Sequence, residues 1–145
     1  MNTLKSKISF IVHATENEKK IYFMLQELFS IENIENKTKI NKLNGHYLNP
    51  IKHVEIKLSD KEIKNILEKI EKKISIEDRE TLENNLEEYI DKKGNLYLRL
   101  DKQDICLGKI VLCQYDAIRI YVANNIKNKK LLGDENSLFR HSRNI

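Results

Sequence analysis

The stretch Asn95-Leu-Tyr-Leu-Arg-Leu-Asp-Lys-Gln-Asp-Ile-Cys-Leu-Gly108 decides how this chain is expected to fold. Its first six positions after Asn95 alternate leucines with an aromatic, a basic and an acidic residue: Leu96, Tyr97, Leu98, Arg99, Leu100 and Asp101. A period of two is typical of a strand that is buried on one side only. Tyr97 and Arg99 on an open face could stack on a base and pair with a phosphate. A merely solvated sheet face carries the same pattern, so both interpretations stay open at this point.

The residues that follow this strand predict further elements. Lys102 to Leu107 is predicted to make a short helical turn, after which Gly108 can take a positive φ. Lys109 to Cys113 is predicted as a short strand. Asp116 to Ala123 is predicted as the last strand, and it repeats the opening pattern because Arg119 and Tyr121 alternate with Ile118, Ile120 and Val122.

The N-terminal part predicts a strand followed by a helix. Lys7 to Ala14 alternates like a strand, with His13 at its end, where the ring is expected to bond local backbone groups or, less favourably, RNA. Thr15 and Glu18 have the spacing of a capping box, in which each side chain bonds the other residue's backbone N–H. Ser30 to Asn36 is predicted as a polar connection.

A basic hairpin and two helices are predicted in the middle of the chain. The strands Lys37 to Leu43 and Ile51 to Leu58 flank a turn at Gly45 to Pro50, and residues 37–57 contain five lysines against one glutamate. Ser59 with Glu62, and Ser75 with Asp78, then mark two helix starts. Residues 60–93 contain 11 acidic and 8 basic residues, so this helical layer has the wrong sign for a phosphate backbone.

Together these elements predict an α+β fold: a mostly antiparallel sheet of five or six strands with helices packed on one face. Residues 1–124 are expected to form a single domain, and residues 125–145 a flexible basic C-terminal tail with five basic and two acidic residues. The pI of about 8.9 therefore comes largely from the tail. No apolar run approaches the ~20 residues of a membrane helix, so we expect a cytoplasmic protein. Cys106 and Cys113 predict free thiols.

Catalytic and cofactor chemistry is not indicated. The histidines at positions 13, 46, 53 and 141 are scattered, without the spacing of a metal site, and no glycine-rich phosphate loop is present. Glu55 lies two residues from His53, which is more typical of a surface pair than of a ligand set. We therefore predict a chain with no catalytic residues, no metal and no cofactor.

Four segments resemble, in the same order, a family of small archaeal RNA-binding proteins described as predicted exosome-associated subunits. They are His13-Ala14-Thr15-Glu16, Gly45-His46-Tyr47 with Asn49-Pro50-Ile51, Asn95 to Gln103 with Gly108, and Asp116-Ala117-Ile118-Arg119. The resemblance spans residues 5 to 123. It implies a fold similar to the large-subunit ribosomal protein that binds 5S ribosomal RNA, a homodimer, RNA as partner, and exosome or ribosome-related proteins as further partners.

The candidate RNA-binding residues come from the basic hairpin, the outward sheet face and the helical turn. They are Lys42, His46, Tyr47, Lys52, His53, Lys57, Tyr97, Arg99, Lys102, Arg119 and Tyr121. The alternative function is a homodimeric interaction module with an RNA-binding-like fold but no RNA function, because tyrosine and arginine are also enriched in protein interfaces.

Overall fold

Five segments with alternating apolar residues pair into one antiparallel sheet. The computed structural model describes residues 6–44 and 50–124. Within these ranges the strand order is β2-β3-β1-β5-β4, and the strands are β1 Lys7–His13, β2 Thr38–Asn44, β3 Pro50–Lys57, β4 Leu96–Asp101 and β5 Ala117–Val122. Strand β1 is central because it pairs with both β3 and β5. The predicted α+β class with an antiparallel sheet is confirmed.

Helices cover the face of the sheet that carries the apolar strand residues. They are α1 Glu18–Phe29, α2 Ile34–Lys37, α3 Asp60–Lys73, α4 Ile76–Asn84, α5 Leu86–Tyr89 and α6 Lys102–Cys106. Their buried side chains share one core with the inward residues of the strands, among them Ile8, Phe10, Val54, Leu98 and Ile120. None of the described helices combines the length and the apolar character that crossing a bilayer requires.

Two predicted helix starts are confirmed. Ser59 and Glu62 form both hydrogen bonds of a capping box at the start of α3, and the hydroxyl of Ser75 accepts from the backbone N–H of Asp78 at the start of α4. The predicted short turn is α6, and Gly108 after it has a φ of 75°. These local signals were sufficient because each cap involves residues only three positions apart.

The predicted capping box of Thr15 and Glu18 is wrong. Helix α1 begins at Glu18, and Asn17 is its cap, with its side-chain oxygen 3.1 Å from the backbone nitrogen of Lys20. Residues 13–16 instead form a turn, closed by a 2.9 Å hydrogen bond from the N–H of Glu16 to the carbonyl of His13. The start of the helix is displaced because this turn occupies Thr15.

The predicted strand at Lys109 to Cys113 is also wrong. Only an isolated bridge joins Leu112 to Leu100 of β4 in this segment. The backbone of the segment makes two hydrogen bonds to β4, from the N–H of Asp101 to the carbonyl of Val111 and from the N–H of Cys113 to the carbonyl of Arg99, and the N–H of Leu112 donates to the Asp78 carboxylate at 3.0 Å. The segment thereby lies along the edge of β4 without continuing the sheet.

Two other connections differ from their predicted form. The polar connection after α1 contains the short helix α2, with Ile31 and Ile34 buried beneath it. The third predicted helix is divided at Asn85 into α4 and α5. The predicted turn at residues 45–49 and the predicted tail at 125–145 lie outside the described residues.

Candidate nucleic-acid interface

The face of the sheet turned away from the helices, the outer face below, carries alternate residues of all five strands. Directly paired residues point to the same side, so the register arranges them in rows across the strands. The first row contains Tyr97, Tyr121, Lys7 and Lys57. The second row contains Arg99, Arg119, Ser9, Glu55 and Lys39. We call these two the basic rows.

Arg99 and Arg119 are direct cross-strand partners in the second row. Both side chains are exposed. Among the described residues neither guanidinium forms an ion pair. Like charges directly opposite each other destabilise a sheet. This arrangement is therefore a cost to the fold that a bound anion would relieve, and planar guanidinium groups suit bidentate contacts to phosphate.

Tyr97 and Tyr121 pack against each other beside the arginines. Their ring centroids are 5.0 Å apart with the planes tilted by 59°. Tyr97 is 42% exposed, whereas Tyr121 is only 8% exposed. Both residues therefore lie on the predicted face, but only Tyr97 offers an open ring, and Tyr121 supports it from below. The expectation that Tyr121 itself contacts RNA is corrected by its burial.

Asp91 holds the ring of Tyr97 in place. Its Oδ2 accepts from the hydroxyl of Tyr97 at 3.2 Å and from the side-chain amide of Asn95 at 3.0 Å. Its Oδ1 accepts from the backbone N–H groups of Lys93 and Asn95, both at 2.9 Å. Desolvation opposes ionisation, but the hydrogen bonds outweigh it and lower the pKa of Asp91. Desolvation and the bond to Asp91 together raise the pKa of Tyr97.

Two recesses adjoin each other along the outer face. One of about 380 Å³ is lined by residues of the basic rows, including Lys7, Tyr97, Arg99 and Arg119. The other, of about 260 Å³, is lined by His13, His53 and Asp116 and shares Ser9 and Arg119 with the first. The surface above β1 and β5 is thus a shallow trough with its basic groups at one end.

His53 and Lys57 lie on the outer face, as predicted. The Nδ1 of His53 is 3.9 Å from Oε1 of Glu55, and the Nζ of Lys7 is 3.3 Å from the same oxygen. Glu55 therefore partly neutralises the middle of the sheet. Lys57 is exposed at the end of β3, next to Lys7 in the first basic row.

Lys42 and Lys52 lie on the opposite side of the sheet from the basic rows. They are cross-strand partners of each other, and Lys52 also pairs with Val12, which points into the core. The Nζ of Lys52 is 3.0 Å from Oε1 of Glu18 at the start of α1. Although these lysines are basic and accessible, the outer face does not include them.

Lys102 is not a surface residue, so its prediction as an RNA contact is corrected. It is 1% exposed. Its Nζ donates to Oε1 of Glu16 at 2.7 Å, to Oδ1 of Asp116 at 2.9 Å and to the carbonyl of Ile11 at 2.8 Å. These partners come from the end of β1, the turn before α1 and the loop before β5. Lys102 therefore has a structural role, because the acceptors of all three hydrogen bonds belong to the chain itself.

His13, Glu16 and Asp116 place three potential metal ligands close together, with ligand atoms within 4.8 Å of one another. Both carboxylates are already bonded to the ammonium of Lys102. The Nε2 of His13 lies 3.4 Å from Oδ1 of Asp116, so the His13 ring faces this carboxylate. The sequence favours hydrogen bonds from this ring to local backbone groups instead. Lys102 supplies the positive charge that a metal ion would bring.

The other chemistry-bearing residues do not form a reactive centre in the described ranges. Burial is the main cause that raises the pKa of both the Cys106 and the Cys113 thiol. A raised pKa reduces the thiolate population that a nucleophile needs. His46 and Tyr47, which were predicted to contact RNA, lie outside the described residues.

Sequence reasoning missed Lys7 and Asp91 as parts of the candidate site. Lys7 enters the first basic row only through its pairing with Tyr121 and Lys57, which are far away along the chain. No capping or alternation pattern singles out Asp91. Its separation of six residues from Tyr97, across a glycine-containing turn, was the available signal for a side chain that holds the ring.

Comparisons with known proteins show the family to which the chain is related. A family model described as RNA binding matches residues 6–124. The chain is 31% identical over 125 residues to the RNA-binding protein PAB1135 of Pyrococcus abyssi, covering 83% of this chain and 80% of that protein. It is also 31% identical over 116 residues to protein MJ0213 of Methanocaldococcus jannaschii, covering 77% of each.

The fold is found in a solved structure as well. The crystal structure of protein SSO0741 from Sulfolobus solfataricus matches with a TM-score of 0.69 at 28% identity. The match covers 87% of this chain and 93% of that one. Because the family model spans the whole described fold and an RNA-binding relative exceeds 30% identity, this chain belongs to the RNA-binding family.

Proposed function

We propose that this chain is a non-enzymatic protein that binds RNA through the basic rows of its outer face. The observation that supports this most is the Arg99–Arg119 pair, two exposed arginines that are direct cross-strand partners in the row next to Tyr97. The family match supplies the class of partner. The geometry supports the outer face as the binding surface, because phosphate oxygens and a base are the groups that these side chains suit.

The charges on the two sides of the sheet also favour RNA binding at the outer face. Along the described strands the outer face carries five Lys or Arg side chains, and Glu55 and Asp101 are its acids. The helical layer on the other side is acidic, since residues 60–93 contain more carboxylates than basic groups. An RNA that approaches this molecule is attracted to the outer face and repelled from the helices.

We further propose an accessory role in archaeal RNA processing or degradation, in association with the exosome. This part rests on the sequence resemblance, which also implies a homodimer and a fold similar to that of the 5S-RNA-binding ribosomal protein. Capture of exosome subunits by the tagged full chain, retained after nuclease treatment, would support a direct protein contact. If nuclease treatment abolishes the capture, RNA alone connects the chain to the exosome subunits.

The alternative, a homodimeric module without RNA function, uses the same face for a second copy of the chain. The family match favours RNA binding over this alternative. The two differ in what the basic rows contact, so removal of their charges separates them.

The test is binding of fluorescein-labelled RNA to the full chain, measured by anisotropy at low salt. We expect Arg99→Ala with Arg119→Ala to weaken binding at least tenfold, whereas Lys69→Ala on α3, an exposed lysine of the helical layer, leaves it unchanged. Light scattering measures the oligomeric state of each variant. An unchanged RNA affinity in the double variant would contradict the proposal. A double variant that loses a dimer but keeps its RNA binding would also contradict it.

A further inference from the structure

The shape of the basic rows restricts the kind of RNA that fits them. On the basis of the proposed function, we infer that the outer face binds single-stranded RNA. The RNA backbone crosses the strands along the basic rows, and an unpaired base stacks on Tyr97.

The basic rows form a narrow band. They extend over the five strands from β4 to β2, which are four spacings of about 4.8 Å apart in total, and this gives a length of about 19 Å. The two rows are two residues apart along each strand, which gives a width of about 7 Å. One sugar–phosphate backbone fits along such a band. A double-stranded RNA-binding domain makes contacts over about 16 base pairs and two successive minor grooves, which is a far longer footprint.

The neighbouring row limits the band on one side. Next to Arg99 and Arg119 it contains Asp101 and Ala117, which are direct partners of each other. Asp101 caps α6 through its carboxylate, which accepts from the N–H of Asp104 at 3.0 Å. A second phosphate backbone on this side would meet an acidic and a small residue, so the charges match one strand and not two.

Tyr97 adds a contact that a duplex cannot use. Its ring is the exposed large apolar side chain of the first basic row, backed by Tyr121 at 5.0 Å and tethered to Asp91 at 3.2 Å. Stacking on such a ring requires a base face that is free of its neighbours, which single strands and loops provide and A-form helices do not. Because the ring is already held, little side-chain entropy is lost when a base binds.

The experiment compares one labelled 12-nucleotide RNA, free and annealed to its complement, on the full chain at the same salt concentration. We expect the free strand to bind at least tenfold more tightly than the duplex. Tyr97→Leu should weaken the single strand by roughly 5- to 150-fold and leave the duplex unchanged, and Tyr97→Phe, which keeps the ring but loses its bond to Asp91, should weaken the single strand less than Tyr97→Leu does. Tyr115→Leu is the matched control, since this tyrosine is 85% exposed but lies outside the basic rows.

The outcomes separate this inference from the proposed function. Equal or tighter binding of the duplex, or an equal loss for both RNAs in Tyr97→Leu, would overturn the single-strand inference while RNA binding itself stands. Failure to bind either RNA would overturn both. A dimer that Tyr97→Leu converts to monomers, seen by light scattering, would show that a second copy occupies the face and would also overturn the inference. Circular dichroism confirms that each variant is folded.

Discussion

The ammonium of Lys102 lies 2.7 Å from the Glu16 carboxylate, across a sequence separation of 86 residues. Together with its bonds to Asp116 and to the Ile11 carbonyl, this contact joins the same end of β1, α1 and β5. A buried ammonium is tolerated only where its donors are satisfied and its charge is compensated. Three donors and three acceptors meet here, so Lys102 stabilises the corner of the sheet next to the outer face.

Replacement of Lys102 by methionine should therefore destabilise the fold. The change leaves Glu16 and Asp116 facing each other without their cation, and removal of one partner of a buried pair costs about 3–5 kcal/mol. We expect about 3 kcal/mol, the lower end, because the Asp116 side chain is 45% exposed and water can solvate it. Urea denaturation gives the free energy of unfolding. The exposed Lys109→Met is the control, and an unchanged midpoint for Lys102→Met would show that the cluster is not structural.

Asp91→Asn tests the support of the Tyr97 ring. The amide cannot accept all four hydrogen bonds with the strength of a carboxylate, so we expect a loss of about 1–2 kcal/mol in unfolding free energy. We also expect weaker RNA binding, because the ring is no longer held. The pKa of Asp91 is lowered, so its contribution is present above its ordinary value and is lost as pH falls through the lowered one. Native and variant chains with the same RNA affinity would contradict this role.

Glu62→Gln should show a stability loss that depends on pH. The Glu62 carboxylate lies 2.7 Å from the Nζ of Lys37 and completes the capping box of α3. Burial opposes ionisation, but the hydrogen bonds from Lys37 and Ser59 outweigh it and lower the pKa below 4.5. The stabilisation is thus full above that value and disappears as pH falls through the lowered pKa. We expect about 1–2 kcal/mol at neutral pH, shrinking at strongly acidic pH. A difference that is constant with pH would refute the assignment.

The arginine pair should behave in the opposite way to these structural residues. Since Arg99 and Arg119 repel each other across the strands, Arg99→Ala should leave the free energy of unfolding unchanged or raise it slightly, by up to about 0.5 kcal/mol. Loss of affinity without loss of stability is characteristic of a binding residue. Thermal melting of the native chain and the variant provides the comparison, and a marked drop in melting temperature would assign Arg99 to the fold.

Local patterns predicted the sheet and its inward face well. The alternation from Leu96 to Asp101 placed Tyr97 and Arg99 on one side, and the register confirms that Arg119 lies beside them. The capping boxes at Ser59 and Ser75 were also recognisable, because all their partners lie within three residues. Periodicity and capping are short-range properties, so a single sequence contains them.

Long-range partners were the source of the errors. Lys102 looked like one more surface lysine in a lysine-rich chain, and nothing within four residues reveals Glu16 or Asp116 as its partners. Leu112 has a strand-like neighbourhood, but its pairing with β4 is limited to the bridge to Leu100. Tyr121 has the right phase for the outer face, yet only 8% of it is exposed. Burial and ion pairing of this kind depend on the assembled fold.

The salt dependence of RNA binding tests the central claim most directly. Each phosphate of a single strand that is neutralised contributes about −0.7 to the slope of log K against log salt concentration. With Lys7, Lys57, Arg99 and Arg119 in contact, the native chain should show a slope of about −2 to −3, and Arg99→Ala with Arg119→Ala should reduce its magnitude by about 1.4. Equal slopes for the two proteins, or an affinity that does not change with salt, would contradict the assignment of the basic rows as the RNA-binding surface.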